Sequence, residues 1–204
     1  MLTREELAKR VLARIDRTAL AALEQGFRGN PFAKYFDVER WVATNVARAE
    51  LLGLLDGRRR RVLDLGAGFG YFLLVCRELG HDAIGVDLPD PLYQAVTKLL
   101  RVPVIEHRVA PASILPADDG DARFDVVTAH MVCFNGHNTP NLWGARDWAC
   151  FLDTFVGATL HLELNRERDG TLYPPGVAEL FGDRGAIITG HHVVFPRVRP
   201  PRPR

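Results

Sequence analysis

Hydrophobic residues in the first fifty positions recur at helical intervals. Leu7, Val11 and Ile15 fall on one face, and Thr3 with Glu6 has capping-box spacing, which predicts a helix from about Thr3 to Glu24. The run GFRGNP at 26–31 breaks that pattern with glycine and proline. Val38, Trp41, Val42, Val46 and Ala49 then make a second stripe, predicting a helix from Asp37, a good N-cap, to about Leu55, with Gly57 as its stop. Residues 1–58 therefore read as a helical cap without a strand.

From Arg61 the period changes. VLDL, DAIGVD (82–87), VPVIEH (102–107), FDVVTAHM (124–131) and TLHLELN (159–165) are short β-prone runs. YFLLVCREL, residues 91–100 and WGARDWACFLDTF carry helical patterns between them. Alternating strands and helices imply βαβ units in a mostly parallel, doubly wound α/β sheet. The strand runs read as apolar rather than alternating, as expected when helices cover both faces. This second region is expected to span 59–196. After Asn165 the pattern weakens: PPGVAELFG predicts a short helix, and AIITGHHVVF either one bent strand or a hairpin about Gly190. RVRPPRPR at 197–204 is basic and proline-rich, the composition of a disordered tail.

Composition narrows the function classes. A chain of 204 residues makes about one domain, and its net charge of +1 supplies no general attraction to nucleic acid or acidic membrane. Cys76, Cys133 and Cys150 are too scattered for a disulfide framework or a zinc cluster and are expected to be reduced thiols. The charged start MLTREELAKR lacks a signal-peptide core, and no apolar run approaches the ~18 residues of a membrane span. A cytoplasmic protein is expected.

The most informative stretch is VLDLGAGFG, residues 62–70. A strand ending in a glycine turn that feeds a helix presents free backbone N–H groups to anionic or acceptor groups. Gly66 would permit the sharp turn, Gly68 close ligand approach, and Gly70 packing of the helix on the strand. Asp87 ends the next strand, 21 positions after Gly66, where a doubly wound fold places the carboxylate that binds ribose hydroxyls. The third glycine comes one residue early for a dinucleotide fingerprint, and Asp64 before the turn would oppose a pyrophosphate but suit an ammonium group. A nucleoside bearing an amino group fits better than NAD.

DLGAGFG followed by GVD and then RFDVVTAH resembles the class I S-adenosylmethionine-dependent methyltransferases over about residues 60–165. A fainter likeness in KYFDVERWVATNVARAELLGL, VCFNGHN and LHLELN extends to uncharacterised bacterial members. The resemblance implies a Rossmann-like fold, S-adenosylmethionine as cofactor and S-adenosylhomocysteine as product. It places Asp64 and the turn Gly66, Ala67 and Gly68 at the methionine end, Asp87 at the ribose, and Leu88 against the adenine. The family often has an acid after the third strand for the adenine amine, where this chain has RVAPAS; backbone near Val109 and Ala110, with Ile114 against the ring, would substitute. A Pro-Gly-Gly turn common before the fifth strand is reduced here to Gly157.

Methyl transfer from a sulfonium is an in-line displacement, so the protein mainly aligns the acceptor, and a base is needed only if the nucleophile keeps its proton. The loop after FDVVTA offers His137 as first candidate base and His130 as second, the latter also suited to bordering the cofactor. Asn135, Asn165, Tyr35 and Trp41 are candidates for contact with the acceptor, the two aromatics as a lid or as core. No metal site is expected: His130 and His137 lack a carboxylate cluster to complete one. A small-molecule acceptor is the leading reading. The alternatives are a non-catalytic cofactor-binding protein and, prompted by RRRR at 58–61 and the basic tail, an RNA methyltransferase. Oligomeric state is not legible.

Overall fold

A computed structural model describes residues 2–115, 123–132, 143–164 and 175–201. The chain divides into two compact units, Met1–Val62 with Ala67–Glu106, and Leu63–Gly66 with His107–Arg204. The N-terminal helices thus share a unit with the first βα repeats rather than standing apart.

In the first unit α1 is Arg4–Ala13, and its capping box is formed: the Thr3 N–H donates to the Glu6 carboxylate at 2.8 Å and the Glu6 N–H to Thr3 Oγ1 at 3.2 Å. The single helix expected over residues 3–24 is two. Asp16 accepts the Ala19 N–H at 2.9 Å and starts α2 (Arg17–Gly26), satisfying a helix start where the apolar spacing alone suggests continuity. A 3₁₀ turn, Ala33–Phe36, leads to α3 (Val38–Leu51), capped by Asp37 as expected. It stops short of Leu55, though Leu54 remains fully buried. β1 (Arg61–Leu65), whose residues from Leu63 onward are counted with the second unit, precedes α4 (Tyr71–Glu78), β2 (Asp82–Asp87), α5 (Pro91–Leu100) and β3 (Val104–Glu106). Within the unit α1 packs on α3, both pack on α4, and α2 meets α5.

The second unit contains β4 (Val126–Val132), α6 (Ala145–Thr154), β5 (Thr159–Leu164), α7 (Val177–Asp183), β6 (Ile187–Thr189) and β7 (His192–Phe195). Its core is aromatic: Trp148 meets Trp143 at 5.0 Å and Phe181 at 5.1 Å between ring centroids, edge to face, and Phe181 meets Phe195. Of the two expectations for AIITGHHVVF the hairpin is realised, with Gly190 at φ +60 between β6 and β7. β4 carries a bulge: His130 pairs with Glu163 and Val132 with Leu164, leaving Met131 extra at φ +57. The expected tail from 197 is in part structured. Val198 is 1% exposed, its N–H donates to the Ala158 carbonyl, and its own carbonyl accepts from Gly157. The composition reading misses this because one buried valine outweighs its proline and arginine neighbours.

The described strands form one seven-stranded sheet in the order β3-β2-β1-β4-β5-β7-β6. β2 runs parallel to β3 and β4 to β5, while β7 is antiparallel to β5 and β6. This is the mostly parallel α/β sheet the alternation predicts. Among the described residues no helix is long and apolar enough to cross a membrane.

One buried titratable group ties the first unit together. His81 is 6% exposed; its Nδ1 accepts the Arg60 N–H at 3.2 Å, so Nε2 carries the hydrogen and donates to the Leu54 carbonyl at 2.9 Å. A second proton would face an amide hydrogen inside the fold, and burial holds the imidazole below its ordinary pKa. A base depressed in the folded state gives full stability above its unfolded value of about 6.5, lost as pH falls through the folded value. Unfolding free energy should therefore decline below about pH 6.5, by no more than ~1.4 kcal/mol per pH unit from this group. Chemical denaturation at stepped pH checks it: His81→Gln flattens that part of the profile.

Candidate functional site

β1 runs into the turn Gly66–Ala67–Gly68–Phe69–Gly70, and α4 begins at the next residue. The three glycines have φ of +71°, +55° and +78°, a region other residues enter only with strain. Their surroundings differ. A Cβ on Gly66 would lie 2.5 Å from Val132 Cγ2, and one on Gly70 would lie 2.6 Å from Val102 Cγ2. A Cβ on Gly68 would meet nothing within 4 Å. Gly68 is therefore the open one, as ligand approach requires. Gly70 relieves a contact with the end of α5 rather than with the strand. The close helix–strand approach uses Gly85 on β2, where a Cβ would meet Ala67 Cβ at 2.7 Å and Leu73 Cδ1 at 2.8 Å. Gly85 is visible as a lone glycine within a strand pattern, a signal of close backbone approach that the sequence reading passes over.

Asp87, the last residue of β2, already engages the turn. Its Oδ2 accepts the Gly68 N–H at 2.6 Å and its Oδ1 the Leu88 N–H at 2.7 Å. Burial pushes its carboxyl up, while these two N–H groups pull it down and leave a net rise. Beside it opens a cleft of about 320 Å³ whose lining includes Gly68, Asp87, Leu88, Tyr93, Lys98 and Glu106. Leu88 is 45% exposed, an apolar side chain displayed next to the half-buried acid. Glu106, unflagged by the sequence reading, stands opposite Asp87 in the parallel register of β2 and β3 and accepts from Gln94 Nε2. Equal placement of acids at two adjacent strand ends was its signal.

Tyr35 and Trp41 are half-buried members of an aromatic cluster in this unit. Their rings lie 4.8 Å apart, and Tyr35 lies 5.6 Å from Phe69 of the glycine turn. Phe69 and Phe32 in turn meet Tyr93 of the cleft at 5.9 and 5.1 Å. Trp41 Nε1 is fixed by the Lys34 carbonyl at 2.8 Å.

In the second unit Asp64 is 3% exposed, and Thr128 Oγ1 donates to its Oδ1 at 2.6 Å. His130 Nδ1 lies 3.7 Å from the same oxygen, and its Nε2 lies 3.2 Å from His161 Nδ1. Thr128 and His161 escape a linear reading because their partners are on other strands. Ala110 and Ser113 exchange reciprocal backbone hydrogen bonds of 3.0 Å, closing a short turn, and Ile114 beyond it is buried. His137, Asn135, Asn165, Cys133 and Asn138 lie outside the described residues.

The residues present suit S-adenosylmethionine. In the first unit Gly68 leaves open space beside the turn, and the Asp87 carboxylate accepts one N–H on each oxygen; in the second unit Asp64 is an acid held in place by a hydroxyl. The comparisons agree. A family described as "Methyltransferase domain" matches residues 34–144. DesVI of Streptomyces venezuelae is similar in structure, with a TM-score of 0.53 at 13% identity over 91% of this chain and 99% of that one. So is 1,6-didemethyltoxoflavin-N1-methyltransferase of Burkholderia thailandensis, solved with 1,6-didemethyltoxoflavin and S-adenosylhomocysteine, with a TM-score of 0.51 at 19% identity over 89% of each chain. A search of curated protein sequences finds no match. The matched stretch covers more than half of the 204 residues and takes in the glycine turn, Asp87 and His130, so the chain belongs to the methyltransferase-domain family and is a class I S-adenosylmethionine-dependent methyltransferase.

Proposed function

We propose that the enzyme methylates a small organic acceptor with a flat or apolar surface. The observation that carries this reading is the aromatic cluster that joins the glycine turn, through Phe69, to Tyr93 of the cleft. Half-buried rings offer apolar contact area with little side-chain entropy to lose. A net charge of +1 gives no electrostatic footprint for RNA. The Burkholderia thailandensis neighbour, named for methylating 1,6-didemethyltoxoflavin, supplies a precedent for such an acceptor on this fold.

S-adenosylmethionine, when bound, supplies a methyl group already activated by its sulfonium charge. The chain's own residues then have positioning work to do. Asp64, locked by Thr128, with Gly66 and Ala67, takes the methionine end; Asp87 takes both ribose hydroxyls; Leu88 and Ile114 take the adenine. His130, buried and engaged by His161, suits bordering the cofactor through Asp64 better than reaching an acceptor. Where the acceptor carries a proton, His137 is our candidate base, and Asn135 and Asn165 our candidate acceptor contacts. Incubating the protein with labelled S-adenosylmethionine and a cell extract, then separating small molecules from polymers, tests the reading. Label should enter the small-molecule fraction. Label confined to RNA or protein would overturn the proposed acceptor class.

A further inference from the structure

We propose that Glu163, His191 and His192 form a binding site for one divalent transition-metal ion of the zinc type. One donor atom from each of these three side chains lies within 4.8 Å of the other two. A zinc ion bound at ~2.0–2.2 Å by tetrahedral ligands needs about 3.4 Å between donors, so small side-chain rotations complete the set. His191 Nε2 and Glu163 Oε1 are already 3.6 Å apart.

The backbone holds these residues in place. Glu163 on β5 stands directly opposite His192 on β7 in the antiparallel register, which sets side chains on one face close together. The His191 carbonyl accepts the Leu164 N–H at 2.9 Å, fixing the turn residue beside them, and the His191 and His192 rings lie 4.2 Å apart. Two imidazoles and a carboxylate form a borderline donor set. It suits zinc and its first-row neighbours, and it is poor for magnesium or calcium, which prefer oxygen alone.

A second observation supports the site. His161 Nε2 lies 3.3 Å from His192 Nδ1, and His161 Nδ1 lies 3.2 Å from His130 Nε2. His130 Nδ1 faces the Asp64 carboxylate, whose charge favours a hydrogen on that nitrogen. With that tautomer each ring would donate from Nδ1 and accept at Nε2, which leaves the lone pair of His192 on Nε2. A ligand histidine held through its other nitrogen is the usual second layer of a metal site. The chain of rings runs back to Asp64, so the metal would sit at the outer end of a polarised relay that starts at the acid of the cofactor turn.

Zinc titration of the full-length protein by calorimetry, with cobalt absorption as a second readout, tests the assignment. One zinc per chain is expected, with no heat from magnesium. Glu163→Gln and His191→Ala should each weaken zinc at least about thirtyfold, and His161→Gln about tenfold through the lost second layer. His107→Ala, which removes a half-buried imidazole bonded to Ser113, should leave zinc affinity unchanged. Circular dichroism of each variant without metal confirms that the fold is kept. Absence of zinc binding to the parent, or parental affinity in both Glu163→Gln and His191→Ala, would overturn the proposal. Neither result bears on the methyltransferase assignment, which rests on other residues.

Discussion

Asp87→Ala binds S-adenosylmethionine at least about a hundredfold more weakly than the parent while remaining folded. A hydrogen bond to a charged group contributes about 1.5–3 kcal/mol, and two ribose hydroxyls on one carboxylate together exceed the ~2.7 kcal/mol that a hundredfold represents. The fold tolerates the change because the protein disfavours this charge. Burial raises the carboxyl pKa despite two N–H donors. An acid raised in the folded state contributes stability at low pH that is lost as pH rises through the folded value. At pH 7 its ionisation is therefore a net cost to the ligand-free fold. Asp87→Asn, which can still accept from Gly68, should unfold no earlier than the parent at pH 7, and the comparison should shift in the parent's favour as pH falls into the carboxylate range. Calorimetry with the cofactor and thermal scans of the ligand-free chains read both effects. Affinity within threefold of the parent would remove Asp87 from the site.

Gly68→Val should be as damaging to binding and mild to folding. The position has φ of +55°, so a β-branched side chain is strained there by about 1–2 kcal/mol, yet among the described residues a Cβ meets nothing within 4 Å beyond its chain neighbours. The added side chain therefore enters the space beside the turn that a ligand would use. Gly57→Val is the control, since Gly57 has φ of +79° and equally empty surroundings but stands in the link before β1. Both variants should lose similar stability in denaturant titrations. Only Gly68→Val should lose cofactor affinity, by at least about a hundredfold. Equal binding by the two would mean that nothing approaches the turn at Gly68.

The places of these two residues in the fold were legible in the sequence because their signals are local: a glycine after a strand, and an acid at the end of the next one. The alternation of strands and helices was legible for the same reason. What escaped was non-local or competing. The break between α1 and α2 hid behind Leu7, Val11 and Ile15, whose spacing continues across it, while the Asp16 cap decided the outcome. The structured end of the chain depends on Val198 reaching Ala158 and on the buried Arg184, whose guanidinium bonds Asp153 and the Arg199 carbonyl. Composition reads those residues as solvent-loving. The line of imidazoles takes one member each from β4, β5 and β7, and only the strand register brings them together. His130 is visible as a histidine at the end of a strand pattern, yet its buried pairing with His161 gives it a different set of partners from those of an exposed base.

The extra residue in β4 has an effect on parity. In a regular strand successive side chains take opposite sides, so inserting one position exchanges the sides of all that follow. Met131 absorbs that step and is left 43% exposed, and Val132 swings inward to lie behind Gly66. The wedge that forbids a methyl group at the head of the glycine turn is thus delivered by an irregularity one strand away. A straightened β4 would move Val132 to the other side of the strand and change the brace behind the first glycine.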